Sequence, residues 1–239
     1  MEAKKRVDLL INGLGSSNGG SFNSVSINGK GTVTGDVDCS DLDVNGSGSI
    51  TGNVVVNHHA QFNGHGKIKG NMESQFLTVD GTAGVTGNLM VKMLKVSGKA
   101  NVGGKIKGDE IKIKGRLTVG EDCEAEMFKA ESQFTIGGLL NADLIDITIF
   151  ADCNAKEIGG QTILIKQKNS LLGFLKPFVR NQLKSECIEG DKIEIENTIA
   201  GIVRGNHVVI GANCEIEVVE YSGEFTMDKN SIVKDIRKI

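Results

Sequence analysis

Tryptophan is absent from this 239-residue chain, which also has one proline, one tyrosine and only 4% aromatic residues. A broad core built on rings is excluded; the interior must be narrow and filled by aliphatic side chains. Charge of one sign is lacking too. With 27 basic and 30 acidic residues the net charge is −3, which gives no electrostatic case for nucleic acid as a partner. The five cysteines, Cys39, Cys123, Cys153, Cys187 and Cys214, are odd in number and scattered, with no CxxC pair and no metal-finger spacing. They read as reduced, structural thiols. No run approaches the roughly 18 apolar residues of a spanning helix, and the run after Arg6 is too short for a signal peptide. The expected location is the cytoplasm, with membrane association left open.

Glycine, by contrast, is abundant at 32 residues, and it is periodic. One column runs Gly29, Gly46, Gly64, Gly81, Gly98 and Gly115, and a second runs Gly35, Gly52, Gly70, Gly87 and Gly104, at a regular spacing of 17 with one step of 18. A fixed period of this size marks a repeat architecture whose units cannot bury an apolar face alone and must stack. Apolar residues keep step. Val25, Leu42, Leu77, Leu94 and Ile111 stand four before the first column, and Ile27, Val44, Phe62, Val79 and Val96 stand two before it. Val33, Ile50, Ile68, Val85 and Val102 follow it by four. A step of two between inward positions, dominated by β-branched residues, is strand alternation with no helix between. Offsets that differ by six divide the turn into three short sides. The fold expected is therefore all-β: a three-sided parallel β-helix of about 17-residue rungs.

Corners fall where a small polar residue meets glycine, as at Asn28, Asn45 and Asn63 before the first column and Asp36, Asn53 and Asn71 after the second. Glycine, Asn and Asp tolerate positive φ and close bends, so the glycines read as rung corners. No Gly-rich loop is followed by the Lys and Ser or Thr of a phosphate cradle. Two after the first column the series Gly31, Gly48, Gly66, Ala83, Ala100, Leu117 and Phe134 grows in size, so packing is expected to be tightest at the amino end.

Chemistry is the poorest fit. His58, His59 and His65 lie within eight residues, but no acidic or thiol ligand accompanies them at a recognisable spacing. No Ser, His and Asp set and no activated cysteine can be argued from order along the chain. The reading is of no enzyme: no catalytic, metal or cofactor-binding residue, and no cofactor. Lys95, Lys112 and Lys129, evenly spaced by 17, read as a basic stripe, either a solvated face or a contact for anionic lipid or an acidic partner.

The rhythm changes after Phe150. Leu171, Leu172, Phe174, Leu175, Phe178, Val179 and Leu183 follow helical spacing, with Lys176, Arg180 and Lys184 on other faces. This reads as an amphipathic helix, packed on the β-helix, lying on a membrane or binding a partner. Strand signals return from Ile188, and a last strand is expected over Ser231–Ile236. The organisation expected is residues 1–166 as repeat β-helix, 167–187 as helical insertion, and 188–239 as a shorter second β-helical block with a tail.

The rungs Val25–Val37 and Leu42–Val54, of the form V-x-I-N-G-x-G-x-V-x-G-D-V with Asn53 for the aspartate, resemble those of the bactofilins, polymer-forming bacterial cytoskeletal proteins. The match runs from Val7 to about Phe150. The resemblance implies a right-handed β-helix that self-assembles without nucleotide and serves as a scaffold for cell-shape, envelope or motility machinery near the membrane. It implies self as the first partner, with a paralogous family member as a second and peripheral membrane contact. The chain departs from the short family pattern in the segment from Ser170 to Ile239 and in lacking proline-rich flanks. Independently of the resemblance, the ends of stacked rungs expose unpaired backbone groups that must be capped or paired. The first rung is a weak cap, because Ser17 and Ser21 replace expected apolar residues. A hexapeptide-type acyltransferase is the rival reading; it requires a strict six-residue repeat.

Overall fold

Inward and outward side chains alternate along each short apolar run, and that alternation commits the chain to strands. The computed structural model describes residues 6–167 and 181–239, carried by twenty strands with no helix among the described residues. The chain divides into two units, Met1–Gly120 and Glu121–Ile239.

Unit 1 holds β1 (Val7–Ile11), β2 (Leu14–Ile27), β3 (Lys30–Cys39), β4 (Asp41–Val44), β5 (Ser47–Ile50), β6 (Val54–Phe62) and β7 (His65–Ile68). It continues through β8 (Met72–Val79), β9 (Thr82–Val85), β10 (Leu89–Val96), β11 (Lys99–Val102), β12 (Ile106–Ile113) and β13 (Arg116–Val119). All pairing is parallel, one turn of chain against the next, with Leu89 beside Met72 on one side and Ile106 on the other, a step of 17 each way. Val54 pairs Met72 at 18, absorbing the one long step of the glycine column. Each turn makes three short sides, because β6 shifts register between Val56 and His59 and so supplies two of them.

The inward columns are dry and aliphatic. Val25, Leu42, Leu94 and Ile111 are fully buried, and burying each such side chain contributes about 1.5–3 kcal/mol. The small residues at Gly31, Gly48 and Gly66 are buried too, and larger neighbours take the space they leave. A β-carbon at Gly31 would meet Ile27 Cγ2 at 2.9 Å, and one at Gly66 would overlap the Phe62 ring. The gradient from glycine to Leu117 therefore reflects an exchange of volume with Ile27, Val44 and Phe62. The buried Ser74 donates its hydroxyl to Phe76 O at 2.9 Å, and no buried side-chain polar atom among the described residues lacks a partner.

Unit 2 holds β14 (Cys123–Ala130), β15 (Gln133–Ile149), β16 (Cys153–Gln167), β17 (Leu183–Ile195), β18 (Thr198–Ile210), β19 (Glu215–Met227) and β20 (Ile232–Lys238). It is again parallel, and Phe128 packs edge-on to Phe134 with ring centroids 5.3 Å apart. The period blurs in the sequence because the rung itself changes length. Ile145 pairs Ile163 at 18, Ile163 pairs Ile193 at 30, and Ile193 pairs Val208 at 15. The step of 30 spans residues 168–180, which lie outside the described residues.

The expected amphipathic helix is corrected here. Leu171, Leu172, Phe174, Leu175, Phe178 and Val179 lie outside the described residues, but Leu183 and Cys187, at the carboxyl end of that reading, belong to strand β17. Leu183 is fully buried, its N–H donates to Asn197 O at 3.0 Å, and it pairs with Cys153 and Thr198 on either side. Two flanking strands offer ladder hydrogen bonds and a buried seat, which outweigh local helical spacing.

Candidate assembly surface

Close approach between turns, rather than bending, is what demands glycine in the first column. Gly29, Gly46, Gly64, Gly81, Gly98 and Gly115 all lie between strands, and at each a β-carbon would run into the carbonyl oxygen of the glycine one turn earlier, as Gly46 into Gly29 O. Among the described glycines only Gly20 and Gly35 take positive φ, at 151° and 104°. In the second column Gly52, Gly70, Gly87 and Gly104 lie between strands and Gly35 lies within β3. At Gly52, Gly70, Gly87 and Gly104 a β-carbon would strike the preceding turn's backbone or its asparagine, as Gly104 would strike Asn88 Oδ1, whereas at Gly35 the positive φ is what favours glycine.

The asparagines bond from turn to turn. Asn28 Nδ2 donates to Asn12 Oδ1 at 2.9 Å, Asn45 to Asn28 at 2.8 Å, and Asn63 to Asn45 at 2.7 Å. At the second corner side-chain oxygens accept from the backbone of the next turn: Asn53 N donates to Asp36 Oδ1 at 2.7 Å, Asn71 N to Asn53 Oδ1 at 2.9 Å and Asn88 N to Asn71 Oδ1 at 2.8 Å. The regular recurrence of Asn was the visible signal for these ladders. Their direction, along the stack, was not.

Among the described residues the first and the last strand each have one unpaired side. β1 pairs only with β2, and the stretch Leu14–Ser21 of β2 pairs only with β3, among the described residues. Three large apolar residues are exposed on this edge, Val7, Leu10 and Leu14 at 64%, 58% and 86%, beside Asp8 and the ion pair of Arg6 with Asp38. Asp8 holds its first turn, accepting from Asn23 Nδ2 at 2.9 Å and from Ser24 Oγ at 2.8 Å. Those hydrogen bonds, Asn23's foremost, keep its carboxyl below the usual carboxylate range.

The carboxyl-terminal edge differs. Among the described residues β20 pairs only with β19, and Ile232, Ile236 and Ile239 are exposed. An ionic net crosses its strands, in which Arg204 Nε donates to Glu220 Oε2 at 2.8 Å and Lys234 Nζ to Glu217 Oε1 at 2.6 Å. Arg237 joins Asp235 at 2.6 Å. Charged side chains on an edge strand oppose indiscriminate pairing, so the two edges are chemically unequal.

No catalytic grouping emerges. His59 Nε2 lies 3.1 Å from Thr78 Oγ1, His58 lies 4.0 Å from Asp41, and His65 opens a strand on a different side of the turn. No group of three or more His, Cys, Asp or Glu able to hold a metal occurs among the described residues. Cys39, Cys123, Cys153 and Cys214 are buried, and burial pushes the first two thiols up to about 12 and the other two to about 11. Such thiols are small core residues, with little nucleophilic thiolate near neutrality. Two lysines of the stripe are paired locally: Lys112 with Glu110 at 2.6 Å, and Lys129 with Asp146 at 2.9 Å.

Comparison with known proteins turns this geometry into an identification. Residues 3–90 match the family model for bactofilin, described as polymer-forming cytoskeletal. A Bacillus subtilis (strain 168) relative, the uncharacterized protein YhbE, is 56% identical over 232 residues, covering 97% of this chain and 98% of its own. The chain belongs to the bactofilin family. This bactofilin also resembles YhbF of the same organism, likewise uncharacterized, at 37% identity over 103 residues, 43% of this chain and 42% of the relative. No solved structure matches it. The family is structural and cytoskeletal and its members form polymers, so a β-helical scaffold is the coarse function. Turn spacings of 17 and 15 also depart from the 18 that a uniform six-residue repeat, as a hexapeptide acyltransferase needs, would give for three sides. No described helix is long and apolar enough to cross a membrane.

Proposed function

We propose that this bactofilin polymerises end to end, without nucleotide, into a scaffold that organises cell-shape, envelope or motility machinery at the inner face of the membrane. The observation that carries the reading is the open amino-terminal edge, where Val7, Leu10 and Leu14 are exposed beside unpaired strand backbone. Pairing that edge with another molecule continues the same backbone ladder and side-chain burial that join one turn to the next. Such a contact uses no chemical energy, and nothing in it requires a bound phosphate. Self is the first partner. Two relatives in one organism, one nearly full length in alignment and one shorter, support a paralogous second. Electron microscopy of purified protein tests the reading: filaments of equal length distribution with and without nucleotide are expected. Particles that stay discrete in both conditions, or filaments that need nucleotide, overturn it.

A further inference from the structure

One side of unit 1 collects cations and excludes acids. It is the sheet formed by the first half of β3 with β5, β7, β9, β11 and β13, paired in parallel in that order. Alternation turns glycine, alanine and aliphatic residues inward, leaving Lys30, His65, Lys67, Lys99 and Arg116 exposed among outward serine, threonine, asparagine and glycine, with Lys69 exposed just past the end of β7. None of the six forms an ion pair among the described residues. Among the described residues the acids of unit 1 stand on the other two sides, as Asp38, Asp41, Glu73 and Asp109 do, and only Asp36 and Asp80 reach the corners that flank this one. A chain of net charge −3 therefore carries four fixed positive charges on one sheet and a fifth, Lys69, at its corner, with no acid on that sheet among the described residues.

The character of the sheet narrows what it can face. Lys30, His65 and Lys99 lie two turns apart in one outward column, roughly 10 Å from one to the next, and Lys67 and Lys69 widen the array across the strands. Charge is thus spread in two dimensions over short side chains. A shallow hollow over Gly84 and Gly103, bounded by His65 and Lys67, lies within it. No outward aromatic ring offers a base a stacking surface, and no helix or loop stands out to enter a groove. Apart from Leu14 at its amino-terminal rim, no exposed large apolar residue supplies the anchor a protein interface needs.

We propose that this sheet is the surface by which the protein lies against an anionic lipid bilayer, with Lys30, Lys67, Lys69, Lys99 and Arg116 facing the phosphate headgroups. The inference rests on the scaffold reading and specifies where that scaffold touches the membrane. Each cation near a bilayer carrying negative surface potential strengthens binding about fivefold, and salt screens the attraction within about a nanometre. Polymerisation would repeat the sheet many times, so weak single contacts add into firm adhesion.

Co-flotation with vesicles tests this. Wild-type protein is expected to float with vesicles containing half phosphatidylglycerol, to remain behind with pure phosphatidylcholine, and to be released by high salt. The triple variant Lys67→Ala, Lys69→Ala, Lys99→Ala should bind about 100-fold more weakly, with an unchanged far-ultraviolet spectrum. The control Lys92→Ala, Lys95→Ala, on the other sides of the turn, should float like wild type. Equal flotation of the triple variant, equal loss in the control, binding to pure phosphatidylcholine, or tighter binding to DNA than to the anionic vesicles overturns the proposal. Filament formation scored without lipid reports on the scaffold reading separately: filaments that do not float refute this surface alone.

Discussion

If Phe62 fills the space that Gly66 leaves, the two positions must be energetically coupled, and the coupling can be worked out in advance. Phe62 is 2% exposed, and a β-carbon at Gly66 would overlap its ring. Gly66→Ala alone must displace the ring or part the turns, an overpacking cost of about 1–3 kcal/mol. It also gains about 0.4–1 kcal/mol by restricting the unfolded chain, since Gly66 does not have positive φ. The single variant should lose about 1–2 kcal/mol on balance. Phe62→Leu alone trims a buried ring and should lose about 1–2 kcal/mol. In the double variant the obstructing ring is gone, so the introduced methyl group keeps its entropic gain without the clash. The double should then be more stable than the sum of the singles by about 2 kcal/mol, within the range measured for side chains in direct contact. Urea unfolding followed by far-ultraviolet circular dichroism, at one protein concentration, reads all four proteins. Additivity within about 0.5 kcal/mol would refute the exchange of volume between the two columns.

Phe134 and Leu140 are both fully buried, so Phe134→Arg or Leu140→Arg forces an unpaired charge into unit 2, and soluble yield with native circular dichroism should be lost; well-folded protein from either would contradict the rung assignment. The buried thiols set an alkaline limit. Their folded values lie above the ordinary 9.0, so their stabilisation is complete below about pH 9 and lost above it as the unfolded chain ionises first. A thiol reagent at about pH 8 should reach half-buried Cys187 well before the other four, and uniform labelling would contradict their burial. At the acid end Asp8 has a depressed carboxyl, so its contribution is present above the ordinary 3.8 and fades as pH falls through the lower folded value. Hydrogen exchange of β1, corrected for intrinsic rates, should accelerate as pH falls below about 4 in wild type and be independent of pH in Asp8→Ala.

Periodicity made the turns legible because each inward column repeats the same chemistry at the same step, from Val25 to Ile111. It misled where two periods fit one segment. Leu183 closes a plausible helical stripe, yet the open ladders of Cys153 and Thr198 decide its conformation, and both partners lie far from it along the chain. The corner glycines were visible, but the reason for them was read as bending. Contact with the turn below explains the first column, and a one-dimensional reading does not display it. By contrast, the partners of two lysines in the stripe are legible. Glu110 sits two residues before Lys112 on the same side of its strand, and Asp146 stands in register one turn after Lys129, so both neutralising partners could have been read from the spacing. The cation-rich sheet was harder to see, because its acid-free character appears only when six separated tetrapeptides are laid side by side.

Sedimentation velocity over a range of protein concentrations, on wild type and on Leu10→Lys, Leu14→Lys, tests most directly whether the open amino-terminal edge drives assembly. The account predicts wild-type species that grow without limit as concentration rises, and a variant with native circular dichroism that stays small. A wild-type protein that sediments as one particle at every concentration, or a variant that grows just as far, would contradict it.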